Sequence, residues 1–506
     1  MSISRRLFLL GSLSGAGVLV LSGCTDPAPA PSATATRAPS PSPSPTPSGP
    51  APAAFRRSRW GADTYSYGSS SYLAAGATDA DRAALAASLD DKVFFAGEAV
   101  AASQPGTVMG AHSSGLTAAA EVAAVAAPGE RIAVIGAGMA GATAARTLAD
   151  QGFDVVVVEA RGRVGGRIAS YDSDDWPFEV QLGVGTLTGD GAAAFESLLA
   201  SAGVTTVEVE ATATARIAGR ETPLPTSEAV SEALDTAAAW AAEHAGEESV
   251  QDAVASSGAS ARLDTRPDSS GVSDADRLAF LLDEALPARV GAAATKVSSR
   301  VLGDEILPGS GQLVTRGFGD YVTDQLRDLD VLRSSNVTQI DYGNEGVGLR
   351  LVTGESLSAD RVVSTIPLGV LKKRRIVFVP ALPSTHLDAI DALGMGVQDV
   401  LWLRFDQRLW STDATVWAVL DDSAASRLWL NLEPATGFPI LVALTGGRTA
   451  TALEKLSDSD AVDAAVRSIA PYFDLVPSTA SPTPTPGAGS SPTPTPGAGS
   501  SPTPTP

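Results

Sequence analysis

The chain has 506 residues, enough for two sizeable domains, with 44% hydrophobic and 18% charged residues. Its net charge of −21 disfavours nucleic acid and anionic membrane surfaces as partners, since both demand clustered Lys and Arg. A single cysteine, Cys24, and three scattered histidines, His112, His244 and His386, exclude a disulfide framework and argue against a Cys- or His-built metal centre, so no metal is expected.

The N-terminus reads Ser4-Arg5-Arg6-Leu7-Phe8-Leu9-Leu10, a twin arginine ahead of an apolar run, which is the pattern of a Tat export signal. The run closes at Leu21-Ser22-Gly23-Cys24, a lipobox-like ending in which Cys24 would be lipidated and become the mature N-terminus. The run is short against the ~20 apolar residues that span a bilayer. Residues 1–24 therefore read as a lipoprotein signal rather than a transmembrane anchor. The expected place is the extracytoplasmic face of the cell membrane, with contact to lipid through the anchor only. Residues 25–54 alternate Pro with Ser, Thr and Ala and should form an extended linker.

Residues 55–127 carry three conspicuous stretches: Arg59-Trp60-Gly61-Ala62-Asp63-Thr64-Tyr65-Ser66-Tyr67-Gly68-Ser69, Phe94-Phe95-Ala96-Gly97-Glu98, and Pro105-Gly106-Thr107-Val108-Met109-Gly110-Ala111. Residues 128–190 then open on Arg131 to Ile135, a short apolar run suited to a buried parallel strand. Gly136-Ala137-Gly138-Met139-Ala140-Gly141 follows, then a helical stretch from Ala142 to Gln151, a second buried strand from Val155 to Val158, and Glu159. This is a complete strand–turn–helix–strand–acid unit for a dinucleotide. Gly136 permits the tight turn, Gly138 admits a pyrophosphate, and Gly141 lets helix pack on strand. The helix N-terminus offers free N–H groups to phosphate, and Glu159 stands where ribose hydroxyls would bind. This unit alone does not separate NAD from FAD.

The next residues do separate them. Glu159-Ala160-Arg161-Gly162-Arg163-Val164-Gly165-Gly166-Arg167 resembles the flavin amine oxidase family, in which this glycine–arginine loop contacts the cofactor. The resemblance extends to the three earlier stretches, which in the family lie at the far C-terminal end but here precede the nucleotide motif. It also covers Gln181-Leu182-Gly183, the Ala359-to-Leu371 stretch and the run from Asn431 to Phe473. It thus implies an α/β protein in circularly permuted order. An FAD-binding Rossmann-like domain of the GR2 type would be joined to an α+β substrate domain. The expected segments are 55–127, the displaced C-terminal part of the FAD domain; 128–190, the βαβ unit; 191–300 and 371–475, the two parts of the substrate domain; and 301–370, an FAD-domain meander. Residues 476–506 repeat Pro-Thr and should be a disordered tail. Recombination between the flanking linkers and an assembly error both account for the displaced order.

The resemblance assigns non-covalent FAD to Gly136, Gly138, Gly141, Glu159, Arg161, Gly166, Arg167, Gly183, Val337, Glu98, Thr107 and Val108. Ser69 takes the place where some members carry a flavin-linking cysteine. On the reaction side, Trp60 is expected near the isoalloxazine, and the altered positions are informative. Asp399 replaces a lysine that holds a water near the flavin. Ser70 and Gln104 replace two aromatic residues that frame the substrate nitrogen, and Thr186 stands where a tryptophan is common. The leading expectation is an FAD oxidoreductase that moves hydride from a small-molecule substrate, an amine among the candidates, to flavin, with oxygen as reoxidant. A flavin dehydrogenase or desaturase acting on a non-amine substrate and a non-catalytic surface flavoprotein remain open beside it.

Overall fold

The computed structural model describes residues 50–474, apart from 218–219, 224–226, 245–247 and 344. The chain divides into two units, Met1–Thr46 and Pro47–Pro506. The first unit carries the export motif and Cys24. It lies outside the described residues, as does the repetitive tail.

A five-stranded parallel sheet forms the centre of the nucleotide half. Its spatial order is Asp330–Leu332, Asp154–Val158, Arg131–Ile135, Arg361–Ser364 and Val93–Phe95. Alternation explains why these short runs are nearly all apolar. Ile132, Val134, Val155 and Val157 face one core. Ala133, Ile135, Val156 and Val158 face the opposite one. A parallel strand covered on both sides has no face left for polar residues. The helices Val108–Val125, Met139–Asp150 and Phe318–Gln325 cover the first face. The second is covered by a four-stranded sheet ordered Ser356–Ala359, Val347–Leu351, Val337–Asp341 and Val377–Val379.

The helix Val108–Val125 is rich in Ala, Gly and Ser, so its backbone lies close to the helix Met139–Asp150. A Cβ added to Gly115 would stand 2.5 Å from the Ala140 carbonyl oxygen. From this helix the chain passes directly to the strand Arg131–Ile135. Arg361 pins the join. Its Nε donates to Glu130 at 2.6 Å and its Nη2 to the Val125 carbonyl at 3.0 Å, while Nη1 reaches the Asp91 carbonyl.

The second half is built on a seven-stranded mixed sheet, in the order Ala54–Arg57, Gln398–Arg404, Ile440–Gly446, Leu428–Asn431, Val416–Val419, Ala213–Ile217 and Arg220–Pro223. One face packs on helices between Glu228 and Val290. The other is an aromatic core of Trp410, Trp417, Trp429, Tyr472 and Phe473 under the helix Asp458–Ile469. Tyr472 stacks on Trp417 at 4.5 Å between centroids.

Three placements differ from the sequence-based segments. The strand Ala54–Arg57 pairs with Gln398–Arg404, so it belongs to the second sheet, although the nucleotide half was expected to begin at residue 55. The strand Gly311–Arg316 pairs with Thr205–Val209 and Thr186–Leu187 in a small sheet of its own, not in the meander. The meander in turn runs past residue 370, to Val377–Val379. In each case long-range pairing decided the neighbour, and a strand's own residues do not encode its partner. The nucleotide helix also begins at Met139, three residues before the expected Ala142.

Candidate cofactor-binding site

A cavity of about 370 Å³ opens at the C-terminal ends of the parallel strands. In open α/β sheets this is where ligands bind. Its walls include Gly136, Gly138, Met139, Glu159, Arg161, Gly166, Arg167, Val337, Glu98, Thr107 and Val108. Ten of the twelve positions assigned to FAD thus meet around one space, although they come from four separate stretches of chain.

The glycines have separable roles. Gly136 has φ +103° at the turn out of the strand. A Cβ on Gly141 would stand 1.9 Å from the Gly136 carbonyl oxygen, and one on Gly183 would stand 1.7 Å from that of Arg167. These two glycines do not line the cavity; they let neighbouring backbones cross beneath it. Gly138 is different. Its added Cβ would meet nothing nearer than 3.8 Å, at Gly166 Cα. The open side of Gly138 is part of the cavity wall, a cradle that a side chain would fill. The N-terminus of the helix Met139–Asp150 lies on the same cavity, which Gly138, Met139 and Ala140 line, and the free amides of a helix start favour an anionic ligand.

Polar groups around the cavity are held by one another. Glu159 is buried; one oxygen accepts from the Ala137 N–H and the other from the Arg161 N–H, both at 2.7 Å. Arg161 makes a two-pronged pair with Asp63 at 2.7 Å per arm and donates to Ser66 at 2.9 Å. Burial pushes the Asp63 carboxyl up, but the Arg161 hydrogen bond and charge outweigh it and hold it below the usual range. Arg167 donates to Glu98 at 2.8 Å and to the Ser69 carbonyl at 2.7 Å. Glu98 also accepts from the Ser71 hydroxyl at 2.6 Å. Burial raises the Glu98 carboxyl, yet the Arg167 charge and the Ser71 hydrogen bond leave it net lowered. Both arginines are therefore fixed by carboxylates before any ligand arrives. Thr107 caps the helix Val108–Val125, its hydroxyl accepting from the Gly110 N–H at 3.0 Å.

The five positions named for the reaction side stand apart from the cavity wall, Thr186 being exposed on the strand Thr186–Leu187. Trp60 is buried behind it, with its indole N–H donating to the Leu182 carbonyl at 2.8 Å and its ring against Gly183. Ser70 donates to Gln398 Oε1 at 2.6 Å, and Gln398 in turn donates to the Ala288 carbonyl at 3.0 Å. Gln104 has φ +52° and its amide lies beside Gly191. Asp399 is buried beneath the Trp60 backbone. The structure also brings in residues that the motif reading did not assign. Thr64, Tyr65, Ser66, Thr365, Arg375 and Ile376 all line the cavity. Thr365 was legible in part, because it sits in the quoted Ala359-to-Leu371 stretch, where its hydroxyl ties strand 361–364 to the Ile135 carbonyl at 2.7 Å. Arg375 carried no signal beyond a local run of basic residues.

Comparison with known proteins agrees with this geometry. The profile of the flavin containing amine oxidoreductase family matches residues 42–123 and 299–499, together more than half of the chain. A profile for an NAD(P)-binding Rossmann-like domain matches residues 134–201, between those two segments. Polyamine oxidase 2 of Arabidopsis thaliana is 35% identical over 163 residues, 32% of this chain and 33% of its own length. Polyamine oxidase 4 of Oryza sativa subsp. japonica is 34% identical over 180 residues, 36% of each chain. The chain thus spans about a third of the length of these curated relatives. A putrescine oxidase bound to putrescine shares the fold with a TM-score of 0.53 at 20% identity, over 68% of this chain and 81% of that one. On the family profile and the site it converges on, the chain belongs to the flavin containing amine oxidoreductase family.

Proposed function

We propose that this protein is an FAD-dependent oxidoreductase of amine-oxidase type. The observation that carries the reading is the single cavity in which the open Gly138 cradle, a helix N-terminus, Glu159 and two carboxylate-fixed arginines meet. That donor set fits a dinucleotide: amides and guanidinium groups for the pyrophosphate, a carboxylate for ribose hydroxyls, and apolar Val337 and Ile376 for a ring. When bound, the flavin supplies a two-electron acceptor that oxygen can reoxidise. This chain's residues bind and orient. Glu159 would accept from ribose hydroxyls, Arg161 and Arg167 would face phosphate, and Thr107 caps the helix whose N-terminal amides would stabilise negative charge on the cofactor. Ser69 is no flavin-linking thiol, which supports non-covalent binding.

The purified protein should show a flavin spectrum, released by acid with the protein colourless afterwards. Anaerobic bleaching by one of a panel of monoamines, diamines or polyamines is the expected result. Bleaching by other donors alone would select a dehydrogenase of non-amine substrates. That second reading draws on Ser70, which donates to Gln398, and on Gln104, whose amide lies beside Gly191; by the resemblance both take the places of aromatic residues.

We also propose that the family's usual order is rearranged here. The strand Val93–Phe95 and helix Val108–Val125 come first in the chain, yet they complete the edge of the nucleotide sheet and run directly into its Arg131–Ile135 strand. Export by the Tat route and lipid attachment at Cys24 complete the proposal, supported by the N-terminal motifs and the Pro-rich spacer.

A further inference from the structure

The helix Asp79–Ala86 buries two residues, Arg82 and Leu85, at a spacing that puts them on one face. A leucine is ordinary there. A guanidinium only 4% exposed is not, because a buried charge is costly unless its surroundings answer it. Among the described residues Arg82 hydrogen-bonds to neutral acceptors only. Its Nη1 donates to the Ser71 hydroxyl oxygen at 2.8 Å and to the Ala99 carbonyl at 2.9 Å. A guanidinium offers no acceptor, so the Ser71 proton must point elsewhere. It points to Glu98, whose Oε2 takes the Ser71 hydroxyl at 2.6 Å and the Ser71 N–H at 3.1 Å. The other oxygen, Oε1, holds Arg167 at 2.8 Å. Ser71 and Glu98 are buried as well, and Arg167 brings the line out onto the cavity wall. The four groups form one unbroken run of hydrogen bonds, with charges in the order cation, carboxylate, cation.

We propose that Arg82, which does not line the cavity, is a positioning residue for the cofactor. The role rests on FAD occupying the cavity. Through Ser71, Arg82 turns and holds Glu98, and through Glu98 it sets the Arg167 guanidinium on the cavity wall. The line also brings two positive charges to one negative in a largely water-free place, where charge acts strongly. Its cavity end falls on the flavin side. Glu159 joins the Ser335 segment, whose N–H donates to its carbonyl at 2.8 Å, and Gly166 lies against Gly138. Arg167 leads from Gly166 to Ser69 and Glu98, and the Glu98 carbonyl accepts from Gly106, beside Thr107, at 3.2 Å. With ribose at Glu159 and pyrophosphate at Gly138, the Glu98 side is left for the flavin. Net positive charge there favours the more negative form of the ring. Arg82 thus contributes to flavin affinity by position and to flavin potential by charge.

Fluorescence titration of the full-length protein with FAD, after release of its bound flavin, tests the line without reference to turnover. Ser71→Ala removes the hydroxyl but leaves Arg82 its Ala99 carbonyl and Glu98 its Ser71 N–H, so this variant should fold. FAD affinity is expected to fall about tenfold, or about 1.4 kcal/mol, in Ser71→Ala and in Arg82→Met, and no further in the double variant. The midpoint potential of the bound flavin separates position from charge. It should drop in Arg82→Met, recover in Arg82→Lys, and stay near the wild-type value in Ser71→Ala, which keeps every charge. Losses of affinity that add in the double variant overturn the relay through Ser71. An unchanged potential in Arg82→Met overturns the charge effect. Ser71→Ala decides the positioning role even where Arg82→Met does not fold: a folded Ser71→Ala protein that binds FAD as tightly as the wild type overturns it. Wild-type protein that takes up no FAD would overturn the cofactor reading itself, a result distinct from equal binding by wild type and variant.

Discussion

Gly138 and Gly141 belong to the same motif, yet the structure predicts opposite consequences for replacing them with alanine. A Cβ at Gly141 would stand 1.9 Å from the Gly136 carbonyl oxygen. An ordinary carbon–oxygen contact lies near ~3.3 Å. Backbone must therefore move by more than an ångström under the parallel sheet, at a cost of about 1–3 kcal/mol for overpacking, or more because neither partner is a flexible side chain. A Cβ at Gly138 meets nothing closer than 3.8 Å, and the residue has φ −83°, which alanine adopts freely. Stability of the flavin-free Gly138→Ala protein should thus stay level or rise by about 0.4–1 kcal/mol through the unfolded chain. The new methyl would instead occupy the cradle, and flavin affinity should fall about a hundredfold, or about 2.7 kcal/mol. Thermal melts of flavin-free protein, followed by flavin titration by fluorescence quenching, separate the two effects. Gly141→Ala should melt earlier even without flavin, while Gly138→Ala should lose affinity alone. Unaltered flavin affinity in a stable Gly138→Ala protein would refute the placement of the pyrophosphate.

Other substitutions test the remaining supports. Glu98→Gln removes the charge that fixes Arg167 and should cost about 1.5–3 kcal/mol in stability, measured by denaturant titration. Because the folded Glu98 carboxyl is lowered, its stabilisation is present above the ordinary carboxylate range and lost as pH falls through the folded value. The acid limb of a melting-temperature profile should therefore be shallower in Glu98→Gln. Arg361→Met frees the join between the helix Val108–Val125 and the strand Arg131–Ile135. It should speed limited proteolysis between residues 126 and 130 and cost about 1–3 kcal/mol. Cys24→Ser should shift the protein from the detergent phase to the aqueous phase in a partition assay if Cys24 carries the lipid.

The nucleotide half was legible because its signals are local. The strand Arg131–Ile135, the glycine turn, the helix and Glu159 are contiguous, and each follows from the period and residue type within a few positions. The stretches ahead of the nucleotide motif were legible for another reason: Glu98 and Thr107 stand in distinctive motifs, and both line the cavity. What lay hidden is what long-range pairing decides. The strand Ala54–Arg57 pairs with Gln398–Arg404, more than 340 positions away, and the strands Ala213–Ile217 and Arg220–Pro223 sit in an Ala-rich region that reads as helix.

Asp399 shows why the reaction side is harder to read than the cofactor side. By motif it is a substitution, an acid in the place of a base, and that comparison supplies only a loss. Its partner Glu454 lies far along the chain, and neither residue is unusual alone. Folding sets both on the amides of Trp60, Gly61 and Ala62. Asp399 holds the turn behind the cavity through the Trp60 amide and the Ser58 hydroxyl, so the effect of Asp399 on turnover should act through the position of Trp60 rather than through contact with substrate.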